Sequence, residues 1–184
     1  MAALARHAVL TGAPGAGKTT LLEAAAAAGM GISHEVARII LRAPGGMELR
    51  ERDPLAFADA MLAAHLAELQ AAAGQELVVF DRGLPDVAGF LLVSGLPVSD
   101  EIDRACRTVR YDGPILRAPA WQEIYRQDDE RIQTWDEAAA SDAAVTAAWQ
   151  RYGYEVIDLP LAPVDDRLEF LRRAMELYPS RSRI

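Results

Sequence analysis

Gly12-Ala13-Pro14-Gly15-Ala16-Gly17-Lys18-Thr19 has the form G-x-x-x-x-G-K-[ST], a loop that turns its backbone N–H groups toward the phosphates of a nucleotide. Such a loop must leave a strand and open a helix, because the helix N-terminus and the loop amides have to converge on the same anion. The flanks satisfy both conditions. Residues 7–11, His-Ala-Val-Leu-Thr, read as a short buried strand, and 18–28 are strong helix formers that stop at Gly29. Lys18 is the only lysine; the rest of the 19 lysines and arginines are arginine, so a compact ammonium is kept where the β- and γ-phosphates would lie. Thr19 supplies a hydroxyl for Mg²⁺, and Thr20 closes the phosphate-binding stretch.

Composition narrows the classes. A chain of 184 residues makes one ordinary domain over 1–184 with a real core. No apolar run approaches a membrane span, and Met1-Ala2-Ala3-Leu4-Ala5-Arg6 is too short for a signal peptide, which points to a cytoplasmic protein. The lone Cys106 excludes an internal disulfide, and His7, His34 and His65 share no metal-ligand spacing with it, so the expected metal is Mg²⁺ carried by ATP. A net charge of -8 argues against generic nucleic-acid binding. Asparagine is absent, so the Asn-Lys-x-Asp element that reads guanine cannot be present, and adenine is the expected base.

Strand-like and helical segments alternate along the chain, the pattern of a parallel sheet covered on both faces. Expected strands are 7–11, 30–33, 77–80, 114–116 and 154–158; expected helices are 18–28, 35–41, 55–73, 85–93, 100–109 and 164–177. Pro44-Gly45-Gly46 ends one helix, Asp53-Pro54 caps the next, and Ser99 caps another. The stretch 121–152 is polar, then helical. The fold class is therefore α/β, a three-layer P-loop NTPase fold with a central five-stranded parallel sheet and a helical lid at about 119–140.

Asp81 ends the most apolar strand, where phosphate-loop enzymes place a carboxylate near Mg²⁺. Arg82 follows it, where water-activating enzymes commonly carry a glutamate. Glu35 and Arg38 are one turn apart and either make a surface pair or stand at the carboxyl edge of the sheet, Glu35 as general base and Arg38 on an anionic acceptor. Tyr125-Arg126-Gln127-Asp128-Asp129-Glu130-Arg131 is dense in both charge signs. Arg126 and Arg131 are roughly 140° apart on a helix, so both reach one phosphate only with a bend. Trp121, Trp135 and Trp149 recur every fourteen residues and suit one helical packing face; Arg104 and Arg107 could lower the Cys106 pKa, but no catalytic partner accompanies it.

The combination of Gly12 to Thr20 with Phe80-Asp81-Arg82-Gly83, Trp121-Gln122-Glu123-Ile124-Tyr125 and Asp128-Asp129-Glu130-Arg131 resembles a family of small bacterial P-loop AAA-domain proteins of ATPase or kinase type. That family is related to the ribosylnicotinamide kinase domain, and Asp81-Arg82 is similar to the Asp-Arg element of thymidylate and deoxynucleoside kinases. The resemblance implies that Asp81 serves the metal, that Arg82 reaches toward the acceptor, that Arg131 and Arg126 are lid arginines over the triphosphate, and that adenine lies near 159–163. It implies a kinase passing the ATP γ-phosphoryl group to a small hydroxylated metabolite. An ATP-dependent switch acting on a protein partner is the alternative, and a ring motor is not, since the chain has no room for the extra helical domain.

Overall fold

The strand that delivers the phosphate loop forms the middle of the sheet. In the computed structural model, which describes residues 7–125 and 134–178, β1 (His7–Gly12) lies between β3 (Val78–Asp81) and β4 (Ile115–Ala118). The edge strands are β2 (Gly31–Ile32) and β5 (Val156–Asp158), and the parallel order is β2-β3-β1-β4-β5. Neighbouring residues of β1 point to opposite layers. Ala8 and Leu10 pack with Leu21, Leu22 and Ala25 of α1 (Lys18–Ala27) and with Leu171 and Met175 of α8 (Val164–Leu177). Val9 packs with Phe80, Ile115, Val145 and Trp149, the last two from α7 (Trp135–Arg151). Burial on both faces is why the third strand reads as an unbroken apolar run.

A second, helix-lined core extends from the α7 face. It gathers α2 (Val36–Arg42), α4 (Pro54–Ala71), α5 (Leu84–Val93) and α6 (Asp100–Thr108) around Phe57, Leu62, Leu84, Leu91 and Ile102. The expected caps form. Asp53 accepts the Ala56 N–H at 2.9 Å with Pro54 at the first helical position, and Ser99 accepts the Ile102 N–H at 3.3 Å. Thr134 and Glu137 cap α7 reciprocally, the Thr134 N–H reaching Glu137 at 2.7 Å and the Glu137 N–H reaching Thr134 at 3.3 Å.

Two expectations need correcting. Gly46 does not merely end a helix: Gly45 takes a left-handed φ of 80° and caps the start of α3 (Gly46–Arg52), an element the glycine pair concealed. The three tryptophans share no helical face, because Trp121 precedes α7, Trp135 opens it against Tyr125, and Trp149 is fully buried against the sheet.

The site is fixed by topology. β1 and β3 are adjacent, β1 leading back to β2 at one edge and β3 leading across to β4. Their carboxyl ends therefore open a crevice at the topological switch point, where ligands of open α/β sheets bind. Register sets Asp81 directly beside Leu10, two residues before the phosphate loop begins at Gly12.

Candidate active site

The loop from Gly12 to Gly17 needs positive φ at Gly12 (110°), Gly15 (74°) and Gly17 (76°), conformations that side-chain-bearing residues rarely take. Lys18 folds back along it, donating from Nζ to the carbonyls of Ala13 at 2.5 Å and Gly12 at 3.2 Å. Burial, reinforced by the Arg82 charge, pushes the Lys18 ammonium down to about 7. Asp81 lies in the same buried field. Its N–H is held by Ser33 Oγ at 3.0 Å, but its buried Oδ1 has no hydrogen-bond partner. Burial, and then the Glu35 charge, push its carboxyl up to about 6.

Arg82 is the junction of the site. It is the one non-glycine residue with positive φ (68°) among the described residues, a conformation that persists only where the surroundings enforce it. They do: Nη1 donates to the Gly12 carbonyl and to Asp86 Oδ1, both at 3.2 Å, and Nε meets Glu35 Oε1 at 3.4 Å. Asp86 is saturated in turn. It accepts from Thr11 Oγ1 at 2.6 Å, the Gly83 N–H at 2.9 Å and Trp149 Nε1 at 3.0 Å, so the α5 N-terminus, the phosphate-loop strand and the core tryptophan are tied to one carboxylate. Glu35 pairs on its other side with Arg38 at 3.3 Å. Burial pushes the Glu35 carboxyl up, yet the Arg82, Lys18 and Arg38 charges outweigh it and hold the pKa below its usual value.

A single cavity of about 730 Å³ runs from the phosphate loop past Glu35 and Arg82 into a chamber between α2, α3, α4 and α5. At the loop end its wall includes Trp121, Ile124, Pro163 and Arg167; in the chamber it mixes Phe57, Met61 and Phe90 with Arg38, Arg42 and Arg50. His65 is buried there, and burial pushes its imidazole down to about 4, so it faces the chamber as a neutral ring.

Residues 7–167 match the family described as AAA domain. This chain is an AAA-domain protein. The fold agrees with solved structures of low sequence identity. A deoxyadenosine kinase from M. mycoides with dCMP and dCDP bound superposes with a TM-score of 0.70 at 16% identity, covering 93% of this chain and 99% of that one. NadR in complex with NAD and AMP-PNP gives 0.65 at 18%, covering 98% of this chain but 52% of that one. Thymidylate kinase from Candida albicans gives 0.63 at 13%, covering 96% and 93%. Comparison with curated proteins gives no match.

In this AAA domain the phosphate loop, Glu35, Arg38, Asp81 and Arg82 are brought together; Arg126 and Arg131 lie outside the described residues. The described residues of the stretch expected to form a lid approach the loop: a Cβ built on Gly15 would lie 2.9 Å from the Tyr125 ring, and one on Gly17 would lie 3.4 Å from Ile124 Cδ1. Glu35 makes the i,i+3 pair with Arg38 and also lines the cavity. Cys106 behaves oppositely to the suggestion of its arginine neighbours, burial pushing its thiol up to about 12. His34 is exposed. Sequence reading passed over Thr11, Asp86, His65 and Arg167. Only Asp86 had a local signal, an acidic residue three positions after the helix-capping Gly83.

Proposed function

We propose that this AAA-domain protein is a Mg-ATP-dependent kinase that phosphorylates a hydroxyl of a small, anionic acceptor. The observation that carries the reading is the continuity of the cavity, with Glu35 where the phosphate-loop end meets the chamber. Lys18 would leave its loop carbonyls to span the β- and γ-phosphates, and the adenine would lie against Pro163, within 159–163. Asp81 and Thr19 fit Mg²⁺: Asp81 has a buried carboxylate oxygen with no partner, and among the described residues no three acidic, His or Cys side chains converge, so the remaining ligands would be phosphate and water. Held by Asp81 and Thr19, the ion would neutralise charge on the transferring phosphoryl group.

Glu35, a carboxylate at neutral pH, accepts the proton of the acceptor hydroxyl. The acceptor oxygen bonds to the γ-phosphorus as the bridge to the β-phosphate breaks, leaving ADP and the phosphorylated acceptor. Arg82, occupied by Glu35, Asp86 and Gly12, holds the base in place and reaches the acceptor only through its edge; Arg38 is the first candidate for the acceptor's charge, with Arg42 and Arg50 on the same chamber. Arg131 and Arg126 are the proposed lid cations on the transferring group. The chamber's apolar wall and neutral His65 suit a flat body with one polar edge.

The test follows γ-labelled ATP and Mg²⁺ with nucleosides, nucleoside monophosphates and other hydroxylated phosphates or carboxylates, with Lys18→Ala as control. Label should reach an anionic acceptor only when Lys18 is intact. Tight ATP binding with no label on any acceptor would overturn the kinase and favour a nucleotide switch acting on a protein partner.

A further inference from the structure

Among the described residues, no carboxylate pairs with Arg167. It stands in the second turn of α8, is 4% exposed, and lies so near the phosphate loop that a Cβ built on Gly17 would sit 2.7 Å from its Nη1. Its Nε has no hydrogen-bond partner, and only burial acts on its titration, downward, with no carboxylate among the described residues opposing it. The adjacent Asp165 and Asp166 are exposed and do not neutralise it. The position near a helix N-terminus adds like charge from the helix dipole. A buried, unpaired guanidinium is a cost that the fold itself does not recover. What adjoins it is the loop whose amides converge on phosphate.

We propose that Arg167 is an anion-binding residue of the donor site, its guanidinium taking a phosphate oxygen of the bound nucleotide from the α8 side, beside Gly17. The inference rests on the phosphate loop holding a nucleotide, not on transfer to an acceptor. Unlike an arginine on a lid, Arg167 is built into the wall between α1 and α8 and needs no closure to be in place. Gly17 leaves the room that a side chain would fill.

Calorimetric titration of Mg-ATP and of inorganic tripolyphosphate into wild type, Arg167→Met, Arg167→Gln and the exposed control Arg173→Met tests it, alongside melting without ligand. Both neutral Arg167 variants should fold without ligand and melt at or above the wild-type temperature. Both should bind ATP and tripolyphosphate roughly ten- to a hundredfold more weakly, with Arg173→Met unchanged. Wild-type affinity in either folded variant, a loss confined to ATP and absent for tripolyphosphate, or failure of both variants to fold would each overturn the proposal; the last would make Arg167 a structural residue. The two readings separate: wild type that binds ATP through Arg167 but labels no acceptor loses the kinase and keeps this site, whereas unaltered ATP affinity with intact transfer does the reverse. Wild type that binds neither probe would remove both.

Discussion

In the pH window between its unfolded and folded pKa values, Asp81 holds a proton in the folded protein that the unfolded chain would have released. Its pKa rises from 3.8 to about 6, through burial first and the Glu35 charge second. Between those values the native state binds the extra proton, so this group makes stability fall as pH rises, and above about 6 the whole penalty is present. Asp81→Asn should therefore melt near the wild-type temperature at pH 4 and above it at pH 7.5 without nucleotide. A gain on the order of 1 kcal/mol corresponds to about 2–4 °C in a domain of this size. A variant less stable than wild type at pH 7.5 would show that Asp81 is satisfied by something other than a ligand. The residues of this site differ in how openly the sequence shows them. Lys18 and Asp81 sit at fixed offsets from a motif and a strand end. Asp86 and Thr11 meet across 75 positions, and that encounter is written in no local pattern.

Elements were legible where one physical signal dominated. Apolar runs marked the inner strands, and caps such as Asp53-Pro54 and Ser99 marked helix starts. α3 was hidden because a glycine pair reads as a break, although a left-handed glycine is also a way to begin a new helix. The packing of α5 on α7 was invisible for another reason: it depends on a missing side chain. A Cβ on Gly89 would come within 2.8 Å of Val145 Cα and 2.9 Å of its Cγ2, so the two helices approach at the distance glycine permits. Gly89→Ala has to push backbone aside. It should lower the melting temperature by an amount equivalent to about 1–3 kcal/mol, and because Asp86 is one turn upstream, it should also weaken ATP binding. An unchanged melting temperature would mean that α7 yields freely.

At the scale of the whole molecule, net charge misleads. The chain carries -8 overall, yet Lys18, Arg38, Arg42, Arg50, Arg82 and Arg167 line one cavity, so the local basic groove that an acidic composition leaves open is present, and it is concave and small-molecule sized. Among the described residues no helix is long and apolar enough to cross a membrane. The parallel sheet follows from alternation of strands and helices, whereas its strand order and the depth of the chamber, set by how α2 to α5 stack, are reported by no window of sequence. Lys18 combines two of the features above: it is the chain's only lysine, and burial lowers its ammonium to about 7. Apart from the α-amino group, the protein therefore offers acylating reagents one primary amine, partly unprotonated at neutral pH and lining the cavity. A single mass adduct on Lys18, suppressed by Mg-ATP, would make this amine a built-in reporter of occupancy that requires no engineered label.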